Sequence, residues 1–203
     1  MARPRSFDAT TLASAGLAVA GREGWAAVTL RTVADELGVS PMALYRVADD
    51  AEQLRRLVAD AAATPVAGDG SGPLAAALRD WALAAHRDLC RRPGLAGYVV
   101  AHWTELPAWL DVVEALLARA AGEGRDDGDG VATVNAVFAY VLVRAQLHDG
   151  LAGAPRRQLQ PLRDHPDRYP QIRRQRAEFA RARVDEHFRF GLDALLAGLG
   201  LDG

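Results

Sequence analysis

The 203-residue chain is 50% hydrophobic and 25% charged, a composition that is typical of a globular protein and excludes a disordered or fibrous one. Its net charge of −2 lacks the strongly basic balance that is the usual footprint of a nucleic-acid-binding chain. The single cysteine, Cys90, excludes an intrachain disulfide. No apolar run reaches roughly 18–20 residues, and no apolar signal-peptide core follows Met1. Together these features predict a cytoplasmic protein without a membrane span.

The first predicted helix runs from about Asp8 to Arg22 and ends before Gly24. Ahead of it, Arg3 and Arg5 lie in an arm that could reach a minor groove or could be a plain disordered terminus. The helix carries an apolar stripe with helical spacing, formed by Leu12, Ala15, Gly16, Val19 and Ala20.

The stretch from Thr29 to Tyr45 predicts a helix-turn-helix unit. Thr29 is placed to cap a helix with an apolar i, i+3, i+4, i+7 stripe, and Gly38 follows its last apolar position. Ser40 then caps a second helix whose first residue is Pro41. Alone, this pattern is equally typical of an ordinary helical hairpin. In a helix-turn-helix unit, the start of the second helix faces base edges in the major groove.

Asp49 with Glu52 predicts a capping box and a fourth helix to about Ala63, so residues 1–63 form the predicted DNA-binding domain. Residues 1–62 hold seven arginines and eight acids, a net charge of −1. Phosphate affinity must therefore come from the placement of a few arginines rather than from bulk charge.

A Gly- and Pro-rich break at 64–73 separates this unit from a larger helical domain, residues 74–203. The patterns predict helices over 74–92, from Pro93, from Pro107 to about Ala121, over 131–147 and over 171–196, with no strand. The predicted fold is therefore all-α, with a three- or four-helix helix-turn-helix domain and a larger C-terminal ligand-binding and dimerisation domain.

The segment 131–147 is apolar nearly all round, which predicts a helix buried on all sides and leaves its polar residues unexplained. These residues are either satisfied core groups or part of a largely apolar ligand cavity. The cavity hypothesis places these side chains around a small molecule: Trp81, His102, Trp103, Asn135, Phe138, Leu142 and Gln146.

The five histidines have no metal-ligand spacing, and no nucleophile–base set or paired carboxylates stand out. We therefore expect no metal, no cofactor and no catalytic residues. An enzyme built around His102, Cys90 or Asp149 is the remaining catalytic alternative.

Residues 12–58 resemble the DNA-binding domain of the TetR/AcrR family of bacterial transcriptional regulators. The resemblance rests on Gly24-Trp25, the Thr29 cap, Val33-Ala34, Leu37-Gly38-Val39-Ser40, Leu44-Tyr45 and Leu54. It implies a two-domain, all-α homodimer that represses transcription at a double-stranded operator until an effector binds the larger domain. Apolar or aromatic character is expected for that effector. Positions carried over as DNA contacts are Arg31, Ser40, Pro41, Met42, Ala43 and Tyr45, to which we add Thr29, Arg3, Arg5 and Arg46.

The resemblance also implies that helices 131–147 and 171–196 of two subunits form a four-helix bundle. Interface residues expected there are Val141, Ala145, Phe188, Leu192 and Leu195, although these could equally pack within the subunit. Val47 and Ala51 depart from the family pattern, because many members carry an aromatic or histidine and a lysine at these positions. That departure leaves open a regulator-like scaffold without DNA binding.

Overall fold

The computed structural model describes residues 8–68, 72–125, 127–152, 164–165, 167–175 and 184–201. All its regular elements in these ranges are helical, which confirms the predicted all-α class. The helices are α1 Ala9–Glu23, α2 Leu30–Leu37, α3 Pro41–Leu44, α4 Ala51–Asp60, α5 Leu74–Cys90, α6 Leu95–His102, α7 Pro107–Gly122, α8 Gly128–Ala152, α9 Pro170–Arg174 and α10 Val184–Gly198. Two short 3₁₀ turns, Trp25–Ala27 and Trp103–Glu105, connect α1 to α2 and α6 to α7.

Helix α1 is the centre of the N-terminal unit and packs against α2 and α4. Asp8 caps it by accepting a hydrogen bond of 2.8 Å from the Thr11 amide, and this bond together with the one from the Thr11 hydroxyl lowers the pKa of the carboxyl. Its predicted apolar stripe is buried. Gly16 lets α4 approach closely, because a Cβ at this position would overlap the Val58 side chain.

The helix-turn-helix geometry follows the local sequence. Thr29 caps α2, and Gly38 ends it in the left-handed conformation with φ of +66°, which glycine adopts without strain. Pro41 occupies the first turn of α3, where its missing N–H leaves no hydrogen bond unmade. Leu44, with no exposed surface, anchors α3 to the core of the unit.

The start of α4 differs by one residue from the predicted capping box. Asp50, not Asp49, is the N-cap and accepts a hydrogen bond of 2.7 Å from the amide of Gln53. The Gln53 side chain in turn accepts the Asp49 amide at 2.5 Å. Glu52 is thereby freed from capping and points to the C-terminal part of the chain, a difference that matters below.

In the C-terminal part, α8 packs against α5, α6, α7 and α10. The helix predicted to start at Pro93 begins two residues later, because Gly94 takes the capping position with φ of +92°. Of the helix predicted over 171–196, the described portions are α9 and α10, and the residues between them lie outside the described ranges. Helix α8 extends beyond the predicted 131–147 at both ends.

The stretch Gly128–Asp149 within α8 is long and apolar enough to cross a membrane by length and composition alone, with a mean hydropathy of 1.4. This differs from the expectation that no apolar segment is long enough to cross a membrane. Within its most apolar window, 44% of the residues are buried against other parts of the chain.

Candidate nucleic-acid interface and effector region

The exposed side of α2 and α3 carries most of the residues predicted to contact DNA. Exposed side chains there are Arg31, Ser40, Pro41, Met42, Tyr45 and Arg46, whereas Thr29 and Ala43 are half-buried. Met42 has 73% and Tyr45 45% of its surface exposed, high fractions for large apolar side chains. Arg3 and Arg5 lie outside the described residues.

The hydroxyl of Thr29 is already engaged within the protein. It accepts the Thr32 amide at 3.2 Å and lies 3.0 Å from the Thr32 hydroxyl, which itself accepts the Thr29 amide. Thr29 therefore fixes the start of α2. A DNA contact from this residue stays a prediction. In contrast, the Ser40 side chain makes no capping hydrogen bond.

The N-terminal unit has a slightly acidic net charge, but several of its acids form hydrogen bonds or ion pairs within the protein. Glu36 on α2 accepts a hydrogen bond of 2.9 Å from Arg22, and the bonds from Arg22 to Glu36 and Glu23 raise the pKa of the guanidinium. Glu52 and Asp60 bond to groups of the C-terminal part. Arg31 makes no ion pair with any described residue. A positive charge is thus available where DNA contact is predicted, although the unit as a whole is slightly acidic.

Two side-chain contacts join α4 to α6 and to the 3₁₀ turn that follows α6. The Tyr98 hydroxyl donates a hydrogen bond of 2.6 Å to Glu52, and Arg56 lies 3.5 Å from Glu105. Burial, followed by the hydrogen bond to Glu52 and its charge, raises the pKa of Tyr98 well above its usual range. Tyr98 thus stays a neutral donor at physiological pH.

Two donors from the larger domain bond to the C-terminal end of α4, and a third bonds to the segment that follows it. Asp60 accepts the Ala108 amide at 2.7 Å, and the carbonyl of Ala59 accepts the buried indole N–H of Trp109 at 2.8 Å. Just beyond the helix, the carbonyl of Thr64 accepts the indole N–H of Trp81 at 3.1 Å. Side chains of α5 and α7 therefore bond directly to the backbone of the N-terminal unit and of the segment that follows it.

A second junction forms where α5 turns into α6. The Trp25 amide donates to the carbonyl of Pro93 at 2.7 Å, and the Trp25 ring packs on Tyr98 with centroids 5.0 Å apart. Gly94 lies so close to Trp25 that a Cβ would come within 3.0 Å of the Trp25 Cβ. The Gly94 amide donates a hydrogen bond of 2.8 Å to the carboxylate of Asp149 on α8. Burial raises the pKa of Asp149, opposed by that hydrogen bond and by His148.

An aromatic cluster lies at the centre of the larger domain, around Phe138. The ring of Trp81 stacks parallel to Phe138 at 5.5 Å, Trp103 is tilted at 5.2 Å and Trp109 meets its edge at 6.1 Å. Of the residues predicted for a ligand, Trp81, Trp103 and Phe138 meet here, and Leu142 is buried nearby on the same helix. Trp109 also belongs to this aromatic cluster, although it was not among the predicted ligand residues.

Asn135 and Gln146 do not join this cluster, because α8 is not buried on all sides as predicted. Val141 has no exposed surface and marks the core-facing side. At 100° per residue, Asn135 and Gln146 lie about 120° and 140° around the helix from Val141, and both are exposed. His102 also lies outside the aromatic cluster, at the junction with α4. Its ring packs on Tyr98 with centroids 4.4 Å apart, and its Nδ1 lies 3.7 Å from the Glu105 carboxylate.

Four of the five residues predicted for the dimer interface lie inside the subunit. Val141, Ala145, Phe188 and Leu192 are at most 1% exposed, and Leu195 is half-buried. The four buried residues therefore pack within the subunit, and Leu195 as an interface residue stays a prediction. Large apolar side chains are exposed elsewhere on the same two helices, at Val131, Val143 and Leu147 of α8 and Phe190 of α10.

A cleft that the sequence did not indicate lies between α5 and α10. It is small, with a volume of about 30 Å³, opens to solvent and is lined by Leu83, His86, Arg87, Phe188 and Arg189. The buried ring of His86 stacks on Phe188 at 3.7 Å, and its Nε2 lies 3.5 Å from the Cys90 sulfur. Among the described residues, no group of three or more histidine, cysteine or acidic side chains could hold a metal ion.

Two family models match the chain. The model for bacterial regulatory proteins of the tetR family matches residues 5–58, and the model for the tetracyclin repressor-like C-terminal domain matches residues 65–201. No curated protein sequence matches the chain.

Solved structures share the fold over nearly the whole length. A possible TetR family transcriptional regulator from Streptomyces coelicolor A3(2) has a TM-score of 0.77 and 21% identity, with 95% of this chain and 98% of that chain covered. ActR of Streptomyces coelicolor in complex with actinorhodin has a TM-score of 0.73 and 19% identity, with 98% and 96% covered. BioQ, known from Mycobacterium smegmatis and solved also with its natural double-stranded DNA operator, has in that complex a TM-score of 0.65 and 23% identity, with 97% and 100% covered.

Proposed function

Because this chain belongs to the TetR family of bacterial regulatory proteins, we propose that it is a transcriptional repressor that a small apolar or aromatic effector releases from operator DNA. The family's DNA-binding domain and its C-terminal domain are both present. We take residues 1–63 as the DNA-binding domain and residues 74–203 as the effector-binding and dimerisation domain of a cytoplasmic homodimer. BioQ bound to DNA and ActR bound to actinorhodin support these two kinds of ligand.

The observation that carries the proposal is the bonding of aromatic-cluster side chains to the end of α4 and to the linker that follows it. Trp109 and Trp81 pack against Phe138 and also donate their indole N–H groups to Ala59 and Thr64. Trp81, Trp109 and Phe138 are at most 3% exposed, whereas Trp103 is half-buried. A molecule that inserts beside Phe138 must displace at least one of these rings. A displacement of Trp109 acts directly on the end of α4, and a displacement of Trp81 acts on Thr64, in the linker that follows it.

This bonding translates effector binding into a change of DNA affinity. In a dimer, the two α3 helices must enter successive major grooves about 34–36 Å apart, or a small multiple of that spacing. An effector that binds better to a state with the wrong spacing lowers the population that can bind DNA, by its differential affinity for the two states.

The experiment is a gel shift with the full-length protein on the DNA upstream of its own gene, at two salt concentrations. We expect a specific complex that weakens at higher salt, because arginine–phosphate contacts release counterions. Arg31→Ala and Tyr45→Ala should each weaken the complex about 5- to 100-fold, in line with the usual loss of one such contact. Arg189→Ala removes an equally exposed arginine on α10 and is the matched control, expected to bind normally.

Loss of binding only in the α2–α3 variants, with an unchanged folded state by circular dichroism, would support the proposal. Unchanged binding in both variants would contradict the assigned DNA-facing surface. If the protein shifts neither its upstream DNA nor any fragment of a genomic library, the proposal fails and a scaffold role becomes the better explanation. Release of the complex by a member of a library of small aromatic molecules would test the effector part.

A further inference from the structure

We propose that α3 reads its operator through the 5-methyl groups of thymine, with Met42 as the main specificity-determining residue. This inference rests on the DNA-binding function proposed above and adds the chemistry of the bases that are recognised. Its starting point is the unusual surface of α3, whose most exposed large side chain, Met42 at 73%, is apolar.

The side chains at the start of α3 cannot form base-specific hydrogen bonds. In the major groove, guanine, adenine and cytosine are distinguished by donors and acceptors, whereas thymine adds a methyl group that only an apolar contact reads. Pro41, Met42 and Ala43 carry no side-chain donor, and none is a strong acceptor. Leu44 is fully buried and therefore cannot reach a base. The first turn of α3 can thus select bases mainly by contact with methyl groups.

Polar groups surround this apolar turn at positions suited to the DNA backbone. Arg31 lies on the neighbouring helix, Tyr45 and Arg46 follow α3, and the Ser40 hydroxyl is not used for capping. Contacts of such groups with phosphates set the register of a protein on DNA without reading its sequence. The surface therefore divides into a polar margin that gives affinity and an apolar centre that gives specificity.

The test uses a DNA duplex that full-length protein selects from a random-sequence library. Each thymine of one half-site is replaced in turn by deoxyuridine, which removes the methyl group and keeps base pairing. At one or two positions we expect about fourfold weaker binding, the effect of leaving one methyl-sized apolar group unburied. Replacing the equivalent thymines in both half-sites should weaken binding about 15-fold.

Variants of Met42 assign the effect to this residue. Met42→Ala should bind the thymine and deoxyuridine duplexes equally, whereas Met42→Leu should keep the preference for thymine. Tyr45→Phe is the control at the polar margin and should also keep it. Equal affinity of the unaltered protein for both duplexes would overturn the proposal, as would a full thymine preference in Met42→Ala. If the library yields no duplex, DNA binding itself fails, a result distinct from binding without sensitivity to the methyl group.

Discussion

The hydroxyl of Tyr98 on α6 donates a hydrogen bond of 2.6 Å to the carboxylate of Glu52 on α4, although 46 residues separate them in the sequence. The two residues belong to the larger domain and to the helix-turn-helix unit respectively. Because α6 also packs against α8, this bond links α4, which packs on α1 of the helix-turn-helix unit, to the helix that packs on the Phe138-bearing α8.

Tyr98→Phe should lower the free energy of unfolding by about 1 kcal/mol, since it removes one hydrogen bond and keeps the ring packed on Trp25. The value is modest because Glu52 is partly exposed. Urea unfolding checks it, and Glu52→Ala completes a double-mutant cycle. Strictly additive effects of the two substitutions would show that the bond contributes nothing.

Gly94→Ala should destabilise the protein more than the same change at Gly124. Both glycines have positive φ, +92° and +78°, so each alanine costs about 1–2 kcal/mol in backbone strain. Only Gly94 faces another residue, Trp25, whereas nothing lies within 4 Å of a Cβ at Gly124. We expect an additional loss of about 1 kcal/mol for Gly94→Ala from this crowding. Equal losses in urea unfolding would contradict a tight Trp25–Gly94 contact.

Asp149→Asn should make stability less dependent on pH. Because burial raises the pKa of Asp149 above its unfolded value, the carboxyl stabilises the fold most below about pH 4, and that contribution is lost as pH rises through the folded pKa. Asparagine keeps an acceptor for the Gly94 amide without a charge. Relative to the unaltered protein, the variant should therefore gain stability between pH 4 and pH 7.

Urea unfolding at several pH values measures this difference. Asp149→Ala is the control, because it removes the charge and the acceptor together and should be less stable than the asparagine variant at every pH. A stability difference between Asp149→Asn and the unaltered protein that stays constant with pH would refute the assignment to Asp149.

Leu147→Glu should weaken self-association at least tenfold if the proposed dimer uses the exposed apolar side of α8. Leu147 is 53% exposed there, and a charge on each subunit would be buried at a two-fold interface. Leu110→Glu on α7, at a residue 42% exposed, is the matched control. Sedimentation equilibrium distinguishes the two, and dimers of equal strength in both variants would exclude this face.

The sequence predicted the features that depend on a few neighbouring residues. The Thr29 cap, the left-handed Gly38 and the first-turn position of Pro41 all arise from local hydrogen bonding and backbone sterics. The cap of α4 was one residue off because Asp49 and Asp50 both have an acceptor three residues later, Glu52 and Gln53. Local pattern alone does not choose between them.

Features that depend on distant packing could not be predicted. The sequence leaves two interpretations of the polar residues of α8, satisfied core groups or cavity groups, because it shows their spacing but not which side of the helix meets the other helices. Asn135 and Gln146 lie away from Val141, the fully buried residue on the core-facing side. Likewise, the position of His102 beside Tyr98 depends on how α6 meets α4, a long-range arrangement.

The bond from Trp109 to Ala59 bears on how the chain can be divided. A fragment cut in the Gly- and Pro-rich linker would follow the boundary visible in the sequence, yet it would separate the Ala59 carbonyl from its donor. The isolated N-terminal fragment would also lose the Ala108 amide that bonds to Asp60, and the residues of the larger domain that pack against α4. The DNA-binding unit is therefore continuous in sequence, but its stability depends on contacts from the larger domain. Its α4 is a helix that the two domains share.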